Sequence, residues 1–381
     1  MDFSLTTEQL DIKSAVREFC EKEFTSELAL ECDREEKFPW ELRRKAAELG
    51  FVGIHFPEEY GGGGFGHIEN TIVTEEMCRV DSTLGTAIIL SDLGCELLVM
   101  YGTEEQKEKY LPKVARGDAV SAIAYTEPTR GSAISERLDT TARKEGDEWV
   151  INGVKTFITN APIADFIFVL CQTDMKVVPA YRGQTLFIVE KNAPGLDITK
   201  IERKMGIRAS PVGEVSFNEV RVSDSNVVGE VNRGFYHSMA LFNMSRVEIA
   251  AQALGMAQGA LENALKYALE REAFGKKLIE FQAIAHKLAD MATKIEAARL
   301  LTYKAAWLID CGKPDPKSSS MAKAYASNIA VEVVDEAVQI FGGYGYIGDF
   351  PVERVYRDVR VTKIYEGTNE IQFNVIAKRL L

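Results

Sequence analysis

Four short segments of the 381-residue chain combine residue types that could take part in chemistry. Residues 123–132 bring hydroxyl groups and a glycine to a point where predicted helix gives way to predicted strand, and glycine lets backbone approach a ligand closely. Residues 155–160 carry Phe157 between two threonines, so an aromatic ring could lie against a flat cofactor while a hydroxyl meets a ring heteroatom. An ordinary turn explains the first segment equally well, and a core Phe beside surface threonines explains the second more simply.

The other two segments lie near the end of the chain. Residues 341–346 follow a predicted helix with paired glycines, which fit a helix end and also leave backbone amides open to a phosphate. The structural explanation is sufficient for that segment by itself. Residues 364–370 contain Glu366 directly before Gly367, with Thr368 as a candidate N-cap of the last helix. Glu366 is therefore well placed to present a carboxylate to a cleft, although a solvated side chain is the usual state of a single Glu.

Two regions of different residue composition must position the first two segments. Residues 1–120 are predicted to be helical because apolar residues recur at three- and four-residue steps among many charges. Within them, the stretch 71–100 is apolar enough to form a helix that is buried on most sides. Residues 121–234 contain short runs rich in β-branched and aromatic residues, which predict a small antiparallel β-domain or barrel. The runs are 149–151, 166–171, 185–189 and 215–222.

Residues 235–381 are predicted to return to helix. Apolar residues at alternating steps of three and four from Phe281 to Thr302 form the seam of a long helix in a near-parallel bundle. Two further helices are expected at 321–341 and 368–380. The expected fold is mainly α with a central β-domain, divided into a helical N-terminal domain (1–120), a middle β-domain (121–234) and a C-terminal helical bundle (235–381).

Composition narrows the classes of function. A net charge of -12 argues against nucleic acid or an anionic membrane surface as the main partner. The longest apolar stretches are expected to fall well short of the ~20 residues of a membrane span, and the first residues show no export or import signal, so a cytoplasmic protein is expected. Six cysteines and four histidines are dispersed along the chain, which disfavours a metal site or a disulfide framework.

Together, in this order and at these spacings, the segments closely resemble the acyl-CoA dehydrogenase family. The likeness runs over nearly the full length, from residues 6–9 to residues 370–372. It includes the motifs at 49–51, 57–62, 102–107, 271–276 and 339–343. The resemblance implies a helical N-terminal domain, a middle β-domain and a C-terminal four-helix bundle. It also implies a homotetramer, with FAD lying between the β-domain and the bundle.

The resemblance assigns expected roles to individual residues. Those expected to hold FAD are Tyr125, Thr126, Gly131, Ser132, Phe157, Thr159, Arg271, Phe274, Gln339, Gly342, Gly343, Thr368 and Glu370. Among them, the ones that resemble residues reaching the FAD of a neighbouring subunit are Arg271, Phe274, Gln339, Gly342 and Gly343. Those expected on the substrate side are Asp92, Ser132, Asn243, Arg246, Tyr365 and Gly367.

The implied reaction is the dehydrogenation of an acyl-CoA thioester to the enoyl-CoA. Glu366 would take the weakly acidic α-proton while the β-hydrogen leaves as hydride to flavin N5. A carboxylate shielded from water by the acyl chain is a stronger base than one in solution. Electron-transfer flavoprotein is the expected acceptor, and the substrate is expected to be a short, medium, branched or alicyclic acyl-CoA.

Asp92 departs from the family pattern. The chain has Ser91-Asp92-Leu93 where the family usually has Asn-Ser-Leu, and an acid within an apolar helix is costly unless it is paired or functional. A satisfied or partly solvated Asp is one explanation. The other is a second catalytic carboxylate, as in members that resemble this chain and act on cyclohexene-carboxyl-CoA by 1,4-elimination to a cyclic diene. Such members are expected to lack the usual Glu, whereas Glu366 is present.

Two further departures concern the substrate. Ala133 stands where an Asp commonly follows the serine, for which no physical account is offered. Gly85 stands where the glutaryl-CoA branch usually has an Arg, which disfavours a dicarboxylic substrate. An acyl-CoA oxidase that uses oxygen is the main rival with the same fold. A catalytically silent helical scaffold is the rival from another class, which intact flavin motifs and Glu366 disfavour.

Overall fold

Several helices of the N-terminal region begin at side chains that cap them. The computed structural model describes residues 3–381. The Thr6 hydroxyl accepts a hydrogen bond from the Gln9 amide at 3.2 Å, and Gln9 Oε1 accepts one from the Thr6 amide at 3.0 Å, which is a capping box. The helices are α1 (Thr7–Glu23), α2 (Ser26–Glu35), α3 (Trp40–Glu48), α4 (His67–Val80), α5 (Ser82–Ile89), α6 (Cys95–Tyr101) and α7 (Glu104–Ala115).

The apolar stretch 71–100 is buried as predicted, but it is not one helix. The Asp81 carboxylate accepts hydrogen bonds from two backbone amides and starts α5 after α4 has ended. A 3-10 turn at Leu90–Asp92 follows, and Gly94, with a φ of 87°, turns the chain into α6. The prediction of a single helix was wrong because a cap and a left-handed turn interrupt an apolar pattern that continues through them.

A mixed sheet forms the middle of the chain. Its strands are β1 (Ser121–Ala124), β2 (Thr141–Glu145), β3 (Glu148–Thr159), β4 (Phe166–Gln172), β5 (Gln184–Glu190), β6 (Leu196–Ile201), β7 (Val212–Ser223) and β8 (Val227–Val228). Its strand order is β6-β7-β3-β2-β4-β5-β8, and β1 pairs with β4 in parallel. The four predicted runs all lie in strands, but the sheet is not purely antiparallel, because β1 and β2 both run parallel to β4.

The C-terminal region is a bundle around a long helix. Gly255 and Gly259 let this helix, α8, approach α4 closely, since a Cβ at these positions would lie 2.3 Å from the Glu75 carbonyl and 2.1 Å from that of Arg79. The predicted seam is confirmed over Leu288, Met291, Ile295, Ala298 and Thr302, which are buried. The helices are α8 (Gly234–Glu270), α9 (Gln282–Asp310), α10 (Pro316–Phe341), α11 (Pro351–Val359) and α12 (Asn369–Lys378).

The changes between helix and strand fall close to the expected boundaries. The last residue of α7 is Ala115 and the first of β1 is Ser121, while β8 ends at Val228 and α8 begins at Gly234. Domain boundaries at 120 and 235 stay a prediction, since secondary structure alone does not define a domain.

One segment has the length and apolar composition of a membrane span. It is Ser82–Tyr101, with 20 residues and a mean hydropathy of 1.6. The expectation that every apolar stretch is too short was therefore wrong by this measure. The segment is 78% buried inside the fold, as a core helix of a globular domain is, and the turn at Leu90–Asp92 interrupts it.

Candidate active site

Glu366 stands on a short connection between α11 and α12 whose backbone is held in an uncommon conformation. Its φ is 51°, and that of Gly367 is 84°; the first value is costly for a residue with a Cβ unless its surroundings enforce it. Gln372 Nε2 enforces it by donating to the Glu366 carbonyl at 3.2 Å and to the Gly367 carbonyl at 2.8 Å. Thr368 caps α12 as predicted, since its hydroxyl accepts from the Ile371 amide at 3.4 Å.

The Glu366 carboxylate faces the first part of α8. Ser245 Oγ donates to Glu366 Oε2 at 2.7 Å, and the neighbouring Arg246 guanidinium is 6% exposed. Burial raises the pKa of Glu366 above its usual value, while the Ser245 hydrogen bond and the charges of Arg246 and Lys323 oppose the rise. The group is therefore a stronger base than a solvated Glu and still has cationic neighbours that stabilise its anion.

Two hydrogen-bond chains fix the loop around Glu366 to the helices. The Tyr365 hydroxyl donates to Gln252 Oε1 on α8, and Gln252 Nε2 donates to Thr86 Oγ1 on α5 at 2.8 Å. On the other side, Lys323 Nζ of α10 donates to the Gly367 carbonyl at 2.8 Å. Burial lowers the pKa of Lys323 to about 7, so a buried amine of variable charge lies beside the base.

A buried ion pair joins the two β-domain segments that the sequence singled out. Lys155 Nζ donates to Glu127 Oε1 at 3.0 Å and to the Tyr125 carbonyl at 3.1 Å, with both charged side chains 0% exposed. The Thr156 amide donates to the Thr126 carbonyl at 2.9 Å. These contacts bring residues 123–132 and 155–160 together as one surface.

That surface fits a large aromatic ligand. The Phe157 ring is 68% exposed on a backbone with a φ of 57°, so the segment presents an aromatic face outward. The Tyr125 hydroxyl is buried and has no hydrogen-bond partner within residues 3–381, which is unusual for a buried polar group. A flat cofactor with hydrogen-bonding ring atoms satisfies both features.

A second group of the expected FAD residues gathers at the far end of α8. A cavity of 420 Å³ there is lined by Arg271, Gly342 and Gly343 among others. A Cβ at either glycine would meet nothing within 4 Å, and Phe274 is 97% exposed at the tip of a two-stranded hairpin. At a rise of roughly 1.5 Å per residue, about 39 Å of helix separates Ser245 from Arg271. The two groups therefore do not contact one flavin ring.

The comparisons with known proteins match this arrangement over the chain. Models of the N-terminal, middle and C-terminal domains of acyl-CoA dehydrogenases match residues 6–118, 122–220 and 232–381. The chain belongs to the acyl-CoA dehydrogenase family. It is an FAD-dependent oxidoreductase that acts on acyl-CoA.

Relatives of this acyl-CoA dehydrogenase are similar over their whole length. A 3-(aryl)acrylate reductase of Clostridium sporogenes is 45% identical over 98% of this chain and 99% of its own. A short-chain-specific acyl-CoA dehydrogenase of Clostridium acetobutylicum is 44% identical over 100% of both chains. A chain in the structure of the electron transferring flavoprotein of Acidaminococcus fermentans has a TM-score of 0.96 and 44% identity, over 100% of both chains.

The remaining residues expected at the acyl-CoA dehydrogenase site lie on exposed or half-buried surface. Gly131 and Ser132 are exposed, and Thr126 and Thr159 are half-buried beside the paired segments. Gln339 is exposed on α10, and Glu370 is exposed in the first turn of α12. The Asn243 carbonyl accepts from Ser319 Oγ at 2.8 Å, which places this part of α8 against α10. Their roles toward FAD and substrate stay predictions.

Asp92 does not lie inside a helix, contrary to expectation. It ends the 3-10 turn after α5, where the apolar sequence continues but the helix stops. Burial and the Glu96 charge raise the pKa of Asp92 to about 6, against the opposing charges of His55 and Arg43. His55 Nε2 lies 3.4 Å from Glu96 Oε1, so Glu96 has an ion-pair partner. Asp92 has none among the side chains of residues 3–381.

Sequence reasoning missed several residues around Glu366. Ser245, Glu248 and Gln252 follow each other at intervals of three and four residues in the mostly apolar α8, which places them on one helix face. That spacing of polar residues was the available signal. Lys323 gave no comparable signal, because its contacts with Gly367 and Asn369 join residues far apart in the chain.

Proposed function

We propose that the enzyme dehydrogenates a short or medium, branched or alicyclic acyl-CoA to the enoyl-CoA, with Glu366 as the base. The observation that carries the proposal is the Glu366 carboxylate. It is held by Ser245 at 2.7 Å beside buried Arg246, and burial raises its pKa. A base for a weakly acidic α-proton needs both a raised pKa and a neighbour that stabilises its charge before the reaction.

The residues of this chain have separable tasks in that reaction. FAD, when bound, supplies the acceptor for the hydride that leaves the β-carbon. The surface of Phe157 and Thr159, tied to Tyr125 through Lys155, would orient the ring. Glu366 Oε would receive the α-proton, and Gln372 holds the Glu366 backbone in place for that transfer. Tyr365 and Gln252 close the side of the site toward α5.

Partners follow from the same proposal. The similarity to a chain in a structure of electron transferring flavoprotein supports such a flavoprotein as the electron acceptor. The cavity lined by Arg271, Gly342 and Gly343 lies too far along α8 to serve the flavin beside Glu366. We therefore propose that it receives the FAD of a neighbouring copy in a homotetramer. We also propose that the enzyme is cytoplasmic.

A panel of acyl-CoA thioesters tests the proposal. Linear C4–C8, isobutyryl and cyclohexanecarboxyl thioesters are mixed with the holoenzyme without oxygen, and flavin absorbance is followed. We expect at least one short or alicyclic thioester to bleach the flavin at a saturable rate and to yield the 2-enoyl-CoA. No bleaching by any of them would contradict the proposal. Rapid turnover with oxygen and none with electron-transfer flavoprotein would assign an oxidase instead.

Asp92 supports an alternative in which a second carboxylate acts on a ring substrate. Its raised pKa of about 6 and its lack of a side-chain partner fit a group that exchanges a proton near neutral pH. A cyclohex-1-ene-1-carboxyl-CoA type of dehydrogenase, which forms a cyclic diene, would use Asp92 as the base.

Asp92→Ala separates the two readings. If Asp92 removes a proton, we expect the variant to lose about 100-fold or more in kcat on an alicyclic thioester, the usual effect of a general base, and to keep butanoyl-CoA turnover. The rates come from flavin bleaching with each thioester, and Asp92→Asn serves as the matched variant of similar size. Equal losses on both substrates, or none, would rule out Asp92 as a second base.

A further inference from the structure

Glu248 lies on the same face of α8 as two residues that contact the loop carrying the base. Ser245, three residues before it, donates to Glu366, and Gln252, four residues after it, bonds to Tyr365 and Thr86. Residues at these intervals share one side of a helix. Glu248 is therefore placed between the contact with the base and the contact with α5.

The Glu248 carboxyl has no partner in this position. Within residues 3–381 it makes no hydrogen bond and no ion pair. The residue is half-buried. The charges that act on it are those of Glu96, Asp92 and Glu366. A half-buried carboxyl without a partner, on the helix face that contacts the base through Ser245, is open to a group bound beside Glu366.

A second polar group in the same neighbourhood also lacks a partner. The Tyr125 hydroxyl is buried, with the residue 7% exposed, and has no hydrogen-bond partner in the described chain. The Ser238 side chain and the charges of Glu366 and Glu96 act on it, so it lies between α8 and the same acids as Glu248. Polar groups without partners are rare in protein interiors, so the unpaired Glu248 carboxyl is a candidate contact for a polar group of the ligand.

We propose that Glu248 is a specificity-determining residue that selects acyl groups with an uncharged hydrogen-bonding oxygen beyond the β-carbon. The inference rests on the proposed function, because the acyl group must enter the space beside Glu366. Burial and the charges of Glu96 and Asp92 raise the pKa of Glu248 well above its usual value, which favours its protonated form. It can then donate a hydrogen bond to a carbonyl or hydroxyl oxygen.

Other acyl groups fit this surrounding less well. An alkyl chain leaves the Glu248 carboxyl unpaired in an interior that excludes water. A second carboxylate on the substrate would meet the like charges of Asp92 and Glu96. A protonated Glu248 offers an ammonium group no ion pair.

Two matched pairs of thioesters test the inference on the wild-type holoenzyme. The pairs are 4-oxopentanoyl-CoA with pentanoyl-CoA, and 4-oxocyclohexanecarboxyl-CoA with cyclohexanecarboxyl-CoA. We expect kcat/KM for the oxo member of at least one pair to exceed that of its partner by about 10- to 100-fold, the effect of pairing one buried polar group. Glu248→Leu should reverse this preference by favouring the alkyl member, whereas Glu248→Gln, whose amide also donates, should keep it.

Each outcome decides the inference. Equal values within both pairs, or a preference for 4-aminobutanoyl-CoA over both oxo thioesters, would overturn it. A Glu248→Leu loss equal for both members would make Glu248 structural and overturn it as well. If Glu248→Leu does not bind FAD, the wild-type ratios and Glu248→Gln still decide. No bleaching by any thioester would overturn the proposed function along with the inference, whereas bleaching without discrimination would overturn the inference alone.

Discussion

Glu366→Gln is expected to lower kcat by about 100- to 10,000-fold while leaving FAD bound. The range is that of a general base whose proton acceptor is removed. The Gln side chain keeps the length of Glu and can still accept from Ser245 Oγ, which lies 2.7 Å from Glu366 Oε2, so the loop should keep its shape. The measurement is the rate of flavin bleaching by the best thioester, with the visible spectrum as the record of bound FAD.

An exposed carboxylate provides the control for this variant. Asp335→Asn changes an exposed acid of α10 and should leave the rate unchanged. In the wild type, the acidic limb of the kcat/KM profile should fall above the usual Glu value, because burial raises the pKa of Glu366 and the base must be unprotonated to act. A Glu366→Gln enzyme with nearly wild-type turnover would transfer the base role to another residue, with Asp92 the first to examine.

The fold was largely predictable from residue pattern, and the errors have local causes. Alternating steps of three and four located α9, because its buried face is long and regular. β2 escaped prediction because its sequence Thr-Ala-Arg-Lys-Glu is mostly polar and partly exposed. α11 escaped because nine residues give too few turns for a period to show. In both cases pairing or packing with distant segments overrides weak local preference.

The site was less predictable than the fold because its contacts are long-range. Glu366 could be singled out from the Gly367-Thr368 pair that follows it, which indicates a helix start. No residue near Glu366 in the sequence indicates the contact with Ser245, which is far away along the chain. The environment of Asp92 was partly hidden, since the charges of Arg43 and His55 act on it from distant parts of the chain. Burial and charge, which set each pKa, belong to the assembled interior.

Lys155→Met is expected to destabilise the β-domain by about 3–5 kcal/mol and to weaken FAD binding. The substitution leaves the buried Glu127 carboxylate with Arg130 alone, whose Nη1 lies 3.7 Å from Glu127 Oε2, and removing the fully buried partner of an ion pair has this cost. It also removes the hydrogen bond that Lys155 Nζ donates to the Tyr125 carbonyl at 3.1 Å. That bond holds the two segments beside Phe157 together. The measurements are FAD affinity by titration of the apoprotein and the temperature at which flavin fluorescence appears on heating.

The double variant Lys155→Met/Glu127→Gln distinguishes an unpaired charge from lost packing. Glu127 also accepts from the Asp139 and Thr140 amides, both at 2.8 Å, and a Gln can keep one of these bonds without a charge. The double variant should therefore regain part of the stability that Lys155→Met loses. Lys37→Met, in an exposed pair with Glu31, is the matched control and should change little. If the double variant releases FAD as readily as Lys155→Met, the contact with the Tyr125 carbonyl, rather than the charge on Glu127, determines how the cofactor is held.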